Sequence, residues 1–178
     1  MSVHLLLSLL VAVIFARPAF STPITVGQPI SPIRLDGELG GKVSGEPWTS
    51  DDIAKTGKII SLFYVDPEEK KLNEPLEKAY ENSKFPPEKH TSIAVINMAA
   101  AWYPNSMINS QLKKKQEQFP RTTYVKDLKK TLVKEWDLQD DSVNVVIFGR
   151  DSKPLFVKRG PMSASEISDL MKLISTNL

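Results

Sequence analysis

The segment IISLFYVDPEEKKLNEP, residues 59–75, sets three carboxylates, Asp66, Glu68 and Glu69, and two amines, Lys70 and Lys71, directly behind an apolar run. Carboxylates this dense can hold a cation or a basic group, but three so close in sequence fall short of the roughly six to eight oxygens that calcium takes. Asp66, Glu68 and Lys70 could instead trade protons with a substrate as a cysteine-independent acid and base set. Neighbouring positions of a helix point different ways, which weakens that use. The same residues also suit a purely structural role. Asp66 is a favoured N-cap, Pro67 fits the first helical position, and Glu68 and Glu69 would sit at the positive end of the helix dipole, worth roughly 0.3–1 kcal/mol each.

A second candidate is AAAWYPN, residues 99–105. Trp102 and Tyr103 bring large apolar area with a polar handle, as residues at interfaces do, or they cover the end of a sheet. Lys113, Lys114 and Lys115 read as a solvated helix face, and acids such as Asp127 and Glu135 dilute the lysines from 126 to 134.

Composition removes whole classes of chemistry. The 178 residues include no cysteine and two histidines, His4 and His90. Disulfides, thiolate metal sites, Cys nucleophiles and thiol redox chemistry are therefore excluded, as is lipid attachment to a cysteine. No motif for a metal or a cofactor is legible, so neither is expected. His90 is expected to be an exposed residue at the start of a strand.

Leu5 to Ala16, LLLSLLVAVIFA, is too short to span a bilayer, which takes about 20 apolar residues. With the small residues Ala19 and Ser21 behind it, it predicts a secretory signal over residues 1–21, removed before Thr22, although MSVH carries no Lys or Arg. Removal costs one counted charge, Arg17, and leaves residues 22–178 nearly neutral. That balance argues against nucleic acid, whose affinity comes mostly from clustered positive charge. The expected product is soluble, periplasmic or otherwise secreted, without a stable membrane anchor.

The elements that must position these residues follow from periodicity. Ile59 to Val65 and Thr91 to Met98 read as strands covered on both faces, joined by a helix from Pro67 to about Ser83. Two parallel strands linked this way imply a right-handed crossover. A polar helix follows over 105–119, a strand over 122–125, a helix or turn over 127–136, and strands over 143–148 and 155–158 around a turn. Ser163-Ala164-Ser165-Glu166 is a capping box, and Ile167, Leu170, Met171 and Ile174 form one apolar stripe behind it. Residues 22–57, rich in Pro and Gly, predict short hairpin strands and a brief helix capped by Thr49 or Ser50.

This order resembles the α/β thioredoxin-like fold, a three-layer sandwich around a central mixed sheet. VGQPISPIRL, residues 26–35, resembles the N-terminal extension of peroxiredoxin-type members. Within that superfamily VGQPI, IAVIN, EWDL, VVIF and GPMSASEISDLM together resemble the YtfJ family of small bacterial periplasmic proteins, over residues 24–174. The resemblance implies that Glu68 and Lys71 fall near the two redox cysteines of thioredoxins. It also implies that Ser142 or Val143 takes the place of their cis-proline.

A cleft released from thiol exchange implies a binding module for a protein or peptide, with Asp66, Glu68, Glu69, Trp102, Tyr103 and Val143 on its surface. A cysteine-independent enzyme using Asp66, Glu68 or Lys70, and an envelope holdase acting through Trp102 and Tyr103, are the other readings. A transcriptional-regulator label carried by the family conflicts with the export signal and the neutral charge.

Overall fold

A computed structural model describes residues 22–178; the expected signal segment, 1–21, and the side chain of Lys70 lie outside the described residues. Strands β1 (Arg34–Leu35), β2 (Gly40–Lys42) and β3 (Trp48–Thr49) lead into α1 (Asp51–Ala54). The repeating part follows as β4 (Ile59–Val65), α2 (Glu74–Ser83), β5 (His90–Asn97), α3 (Asn105–Gln118) and β6 (Thr122–Asp127). It closes with α4 (Thr131–Trp136), β7 (Val143–Phe148), β8 (Pro154–Arg159) and α5 (Ala164–Asn177).

Six strands form a mixed sheet in the order β2-β6-β5-β4-β7-β8. β4, β5 and β6 run parallel; β2, β7 and β8 pair antiparallel with their neighbours. Because alternate side chains of a strand face opposite ways, β4 divides its apolar residues between two cores. Ile60, Leu62 and Tyr64 join Leu35, Trp48, Ile53, Leu132 and Trp136 beneath α1 and α4. Ile59 packs with Leu76, Ile147, Leu170 and Ile174 beneath α2 and α5. The capping box closes as expected: Ser163 N–H donates to Glu166 Oε2 at 2.7 Å and Glu166 N–H to Ser163 Oγ at 3.3 Å.

Four sequence expectations are revised. α2 begins at Glu74, not Pro67, because residues 66–69 form a turn and Lys70–Asn73 a single 3-10 turn; Pro75 falls in the first turn of the helix, where its missing N–H is harmless. Asp66 therefore caps nothing. Ser50 does not cap α1 either, since its hydroxyl accepts the Ile33 N–H at 2.9 Å. β5 is not covered on both faces: Ile93, Val95 and Asn97 are buried, but Ser92, Ala94 and Ile96 stay half-exposed.

The fourth revision concerns His90, which is half-buried. Tyr80 Oη donates to Ser61 Oγ at 2.7 Å, and Ser61 Oγ lies 2.9 Å from His90 Nε2. The three side chains form a chain of polar groups along the edge of the α2 core, with Tyr80 as the donor to Ser61. Phe85 packs 4.9 Å from the ring, between centroids. Burial, with Arg121 nearby, pulls the His90 pKa down to about 4.

A histidine whose folded pKa is depressed supports the fold while it is neutral in both states. That contribution is lost as pH falls from the free value of 6.5 toward about 4. The expected outcome is a wild-type unfolding free energy in urea that drops across this window relative to His90→Gln; a constant difference between the two proteins would refute the neutral, buried ring.

Candidate functional site

The parallel strands β4, β5 and β6 deliver three polar side chains to one end of the sheet: Asp66 just after β4, Asn97 closing β5 and Asp127 closing β6. All three are buried. Asp127 is fully engaged, accepting Leu132 N–H at 3.0 Å, Tyr64 Oη at 3.3 Å and Lys129 N–H at 3.1 Å. It ties the sheet to α4, and with burial it raises the Tyr64 pKa.

Asp66 reaches across to the loop before β7. Its Oδ2 accepts Ser142 N–H at 2.9 Å while its own N–H donates to Ser142 O at 3.2 Å, so the pair prolongs the β4–β7 ladder. Oδ1 of Asp66 is buried without a partner. Burial pushes the Asp66 carboxyl up to about 6, against the Asn97 amide nearby and the Ser142 N–H and with help from the charges of Asp140 and Asp141. Asn97 Nδ2 donates to Asp140 Oδ1 at 3.0 Å, Lys130 Nζ lies 2.6 Å from Asp140 Oδ2, and Asn97 Oδ1 has no partner. One carboxylate oxygen each from Asp66, Asp140 and Asp141 lie within 4.8 Å of one another.

Next to this end, α2 and α3 stand apart over the half-exposed face of β5. Phe63, Ala94, Ile96, Tyr103, Leu112 and Tyr124 line the resulting cleft, whose cavity is about 230 Å³. Charge is confined to its borders, with Glu77 and Glu81 on α2 and Lys115 on α3. Pro67, the neighbour of Asp66 in the chain, and Asn73 also line the cleft. Glu68 Oε1 accepts Trp102 N–H at 2.9 Å, which joins the loop after β4 to the loop after β5. Trp102 stands 84% exposed, edge to face with Tyr103 at 5.7 Å.

Of the residues singled out in sequence, Asp66 turns inward to Ser142 and Glu68 turns to Trp102, so these two carboxylates part; the Lys70 side chain lies outside the described residues. Glu69 contributes backbone bonds to Asp66 and Leu72. Val143 is a correction: it is 2% exposed and pairs with Val65, because β7 is buried along its length. Trp102 and Tyr103 divide the two roles open to them, the first exposed and the second lining the cleft. Asp140, Asp141 and Asn97 were missed. Their only sequence signal is position, since Gln139-Asp140-Asp141-Ser142 precedes β7 and Asn97 ends β5, both at the carboxyl end of the parallel strands, where α/β sheets present ligands.

The family model for a bacterial protein of unknown function, YtfJ_HI0045, matches residues 24–177. The chain belongs to the YtfJ family. It is 23% identical over 176 residues to a protein of Haemophilus influenzae described as uncharacterized, covering 96% of each. It is 22% identical over 154 residues to the protein YtfJ of Escherichia coli K12, covering 83% of this chain and 84% of that one. The exposed lipoprotein thioredoxin Etrx1 of Streptococcus pneumoniae superposes with a TM-score of 0.54 at 14% identity, over 80% of this chain and 98% of that one. The YtfJ chain therefore has the thioredoxin-like fold without a cysteine to place on it.

Val143 in the core and Trp102 on the surface make opposite demands on stability. Val143→Ala is expected to lower the unfolding free energy by roughly 1–3 kcal/mol. Trp102→Ala should change it by less than about 0.5 kcal/mol, as exposed substitutions do. Urea titration of the two variants checks the assignment.

Proposed function

We propose that this member of the YtfJ family is an exported, non-redox binding module that receives an apolar side chain of a peptide or protein partner in the cleft between α2 and α3. The observation that carries the reading is the half-exposed face of β5. A central strand with Ala94 and Ile96 left accessible beneath two separated helices offers apolar area that the chain does not cover itself. The cavity of about 230 Å³ is smaller than the roughly 300–1,000 Å³ of sites that enclose a small molecule, and its size suits one aromatic or two aliphatic side chains instead. Trp102 beside it supplies the kind of exposed aromatic that anchors interfaces.

Export rests on the apolar segment ahead of Thr22, and no described helix is long and apolar enough to cross a membrane. The absence of cysteine leaves the chain no thiolate with which to exchange disulfides or reduce peroxides.

Peptides selected from a random displayed library against residues 22–178 are expected to share an aromatic or branched apolar anchor. Their affinity should fall at least tenfold on Ala94→Leu, which fills the floor of the cleft, with the thermal midpoint kept within a few degrees. Selected peptides that bind the filled variant equally well would remove the cleft from the reading. In the source cell, N-terminal sequencing of the accumulated protein should begin near Thr22; retention of Met1 on the whole population would remove export.

A further inference from the structure

We propose that Asp66, Asp140 and Asp141 form a binding site for a calcium ion at the carboxyl end of β4, beside Asn97. The proposal does not depend on what occupies the cleft.

The geometry of the oxygens comes first. Calcium holds its ligands at about 2.3–2.6 Å, so two oxygens on opposite sides of one ion lie about 4.6–5.2 Å apart. The three carboxylates already offer oxygens within 4.8 Å of one another. Magnesium demands a near-ideal octahedron and gives up its water reluctantly, which suits a partly buried carboxylate cluster less well. The cluster holds no sulfur and no imidazole, so its donors match a hard cation rather than zinc or copper.

Vacancies in the hydrogen bonding accompany the cluster. Asp66 is 1% exposed and Asn97 fully buried, yet Oδ1 of each has no partner. Buried polar atoms are nearly always satisfied, and an unpaired carboxylate oxygen is the costlier kind of exception. Asn97 is held beside the cluster by its amide hydrogen bond to Asp140, and it is the amide nitrogen, not Oδ1, that faces that carboxylate. A cation coordinated by Asp66 Oδ1 would satisfy the buried carboxylate oxygen.

Charge sets the valence. Lys130 occupies Oδ2 of Asp140 and Asn97 occupies Oδ1 through its amide hydrogen, so Asp140 must give up or share one contact to ligate. Three carboxylates and the one ammonium leave two negative charges, which one divalent ion neutralises. Asp141 is exposed and opens the site to solvent, giving the ion a way in and room for water ligands.

Equilibrium dialysis of the EDTA-treated mature protein against CaCl2 tests this. The expected result is one calcium per chain with Kd near 0.1–1 mM, the affinity of extracellular calcium modules. At ten times Kd the thermal midpoint should rise by about 3–6 °C over a KCl control of equal ionic strength. Asp141→Asn, exposed and therefore safe for folding, should weaken binding at least tenfold, and Asp140→Asn should do the same. Absence of saturable calcium binding up to 10 mM CaCl2, on the order of ten times the weakest expected Kd, would overturn the proposal. So would binding unchanged by both substitutions, or an equal response to MgCl2.

Discussion

Two-sided burial of β4 is the constraint on which the rest of the molecule depends. This strand pairs with β5 on one edge and β7 on the other, and its alternating side chains feed both cores. A strand so placed leaves the buried layers only at its ends, and Asp66 is the first residue beyond the carboxyl one. The position of Asp66 follows from that geometry.

The carboxyl edge of the sheet is consequently a row of buried polar side chains, one for each parallel strand. Asp127 is satisfied by the start of α4 and by Tyr64, and it does structural work there. Asp66 and Asn97 are satisfied only in part. Similar residues at the same edge therefore diverge: the donors around Asp127 saturate its carboxylate, whereas Asp66 meets one backbone N–H and further carboxylates. In this chain that edge carries oxygen and nitrogen donors and no sulfur.

The other departure from a closed three-layer sandwich is the gap over β5. α2 and α5 pack on each other across β4 and β7, while α3 is held over β6 by Ile108, Leu112 and Tyr124. The two helical groups are anchored to different strands, and β5 between them is left with Ala94 where a larger residue would fill the space. The Glu68–Trp102 bond links the loops beside this gap and so couples its shape to the chain leaving β4.

Much of the fold was legible in the residues alone. The apolar runs of β4 and β7, the amphipathic stripe and capping box of α5, and the absence of cysteine each follow from local pattern or composition, because side-chain period and capping are decided within a few positions. The site was legible only in part. Asp66 satisfies every local rule for an N-cap, but its partner is Ser142, 76 positions away, and that contact turns the carboxylate inward and delays α2 to Glu74. Asn97 and Asp140, 43 positions apart, carry no pattern that announces them as neighbours. Sequence by itself determined the strands, the last helix and the exclusion of thiol chemistry, since those depend on near neighbours or on what the chain lacks. Tertiary structure alone decided which carboxylates meet, which face of β5 stays open and that Val143 is core, because packing distant segments together is what selects a side chain's partners.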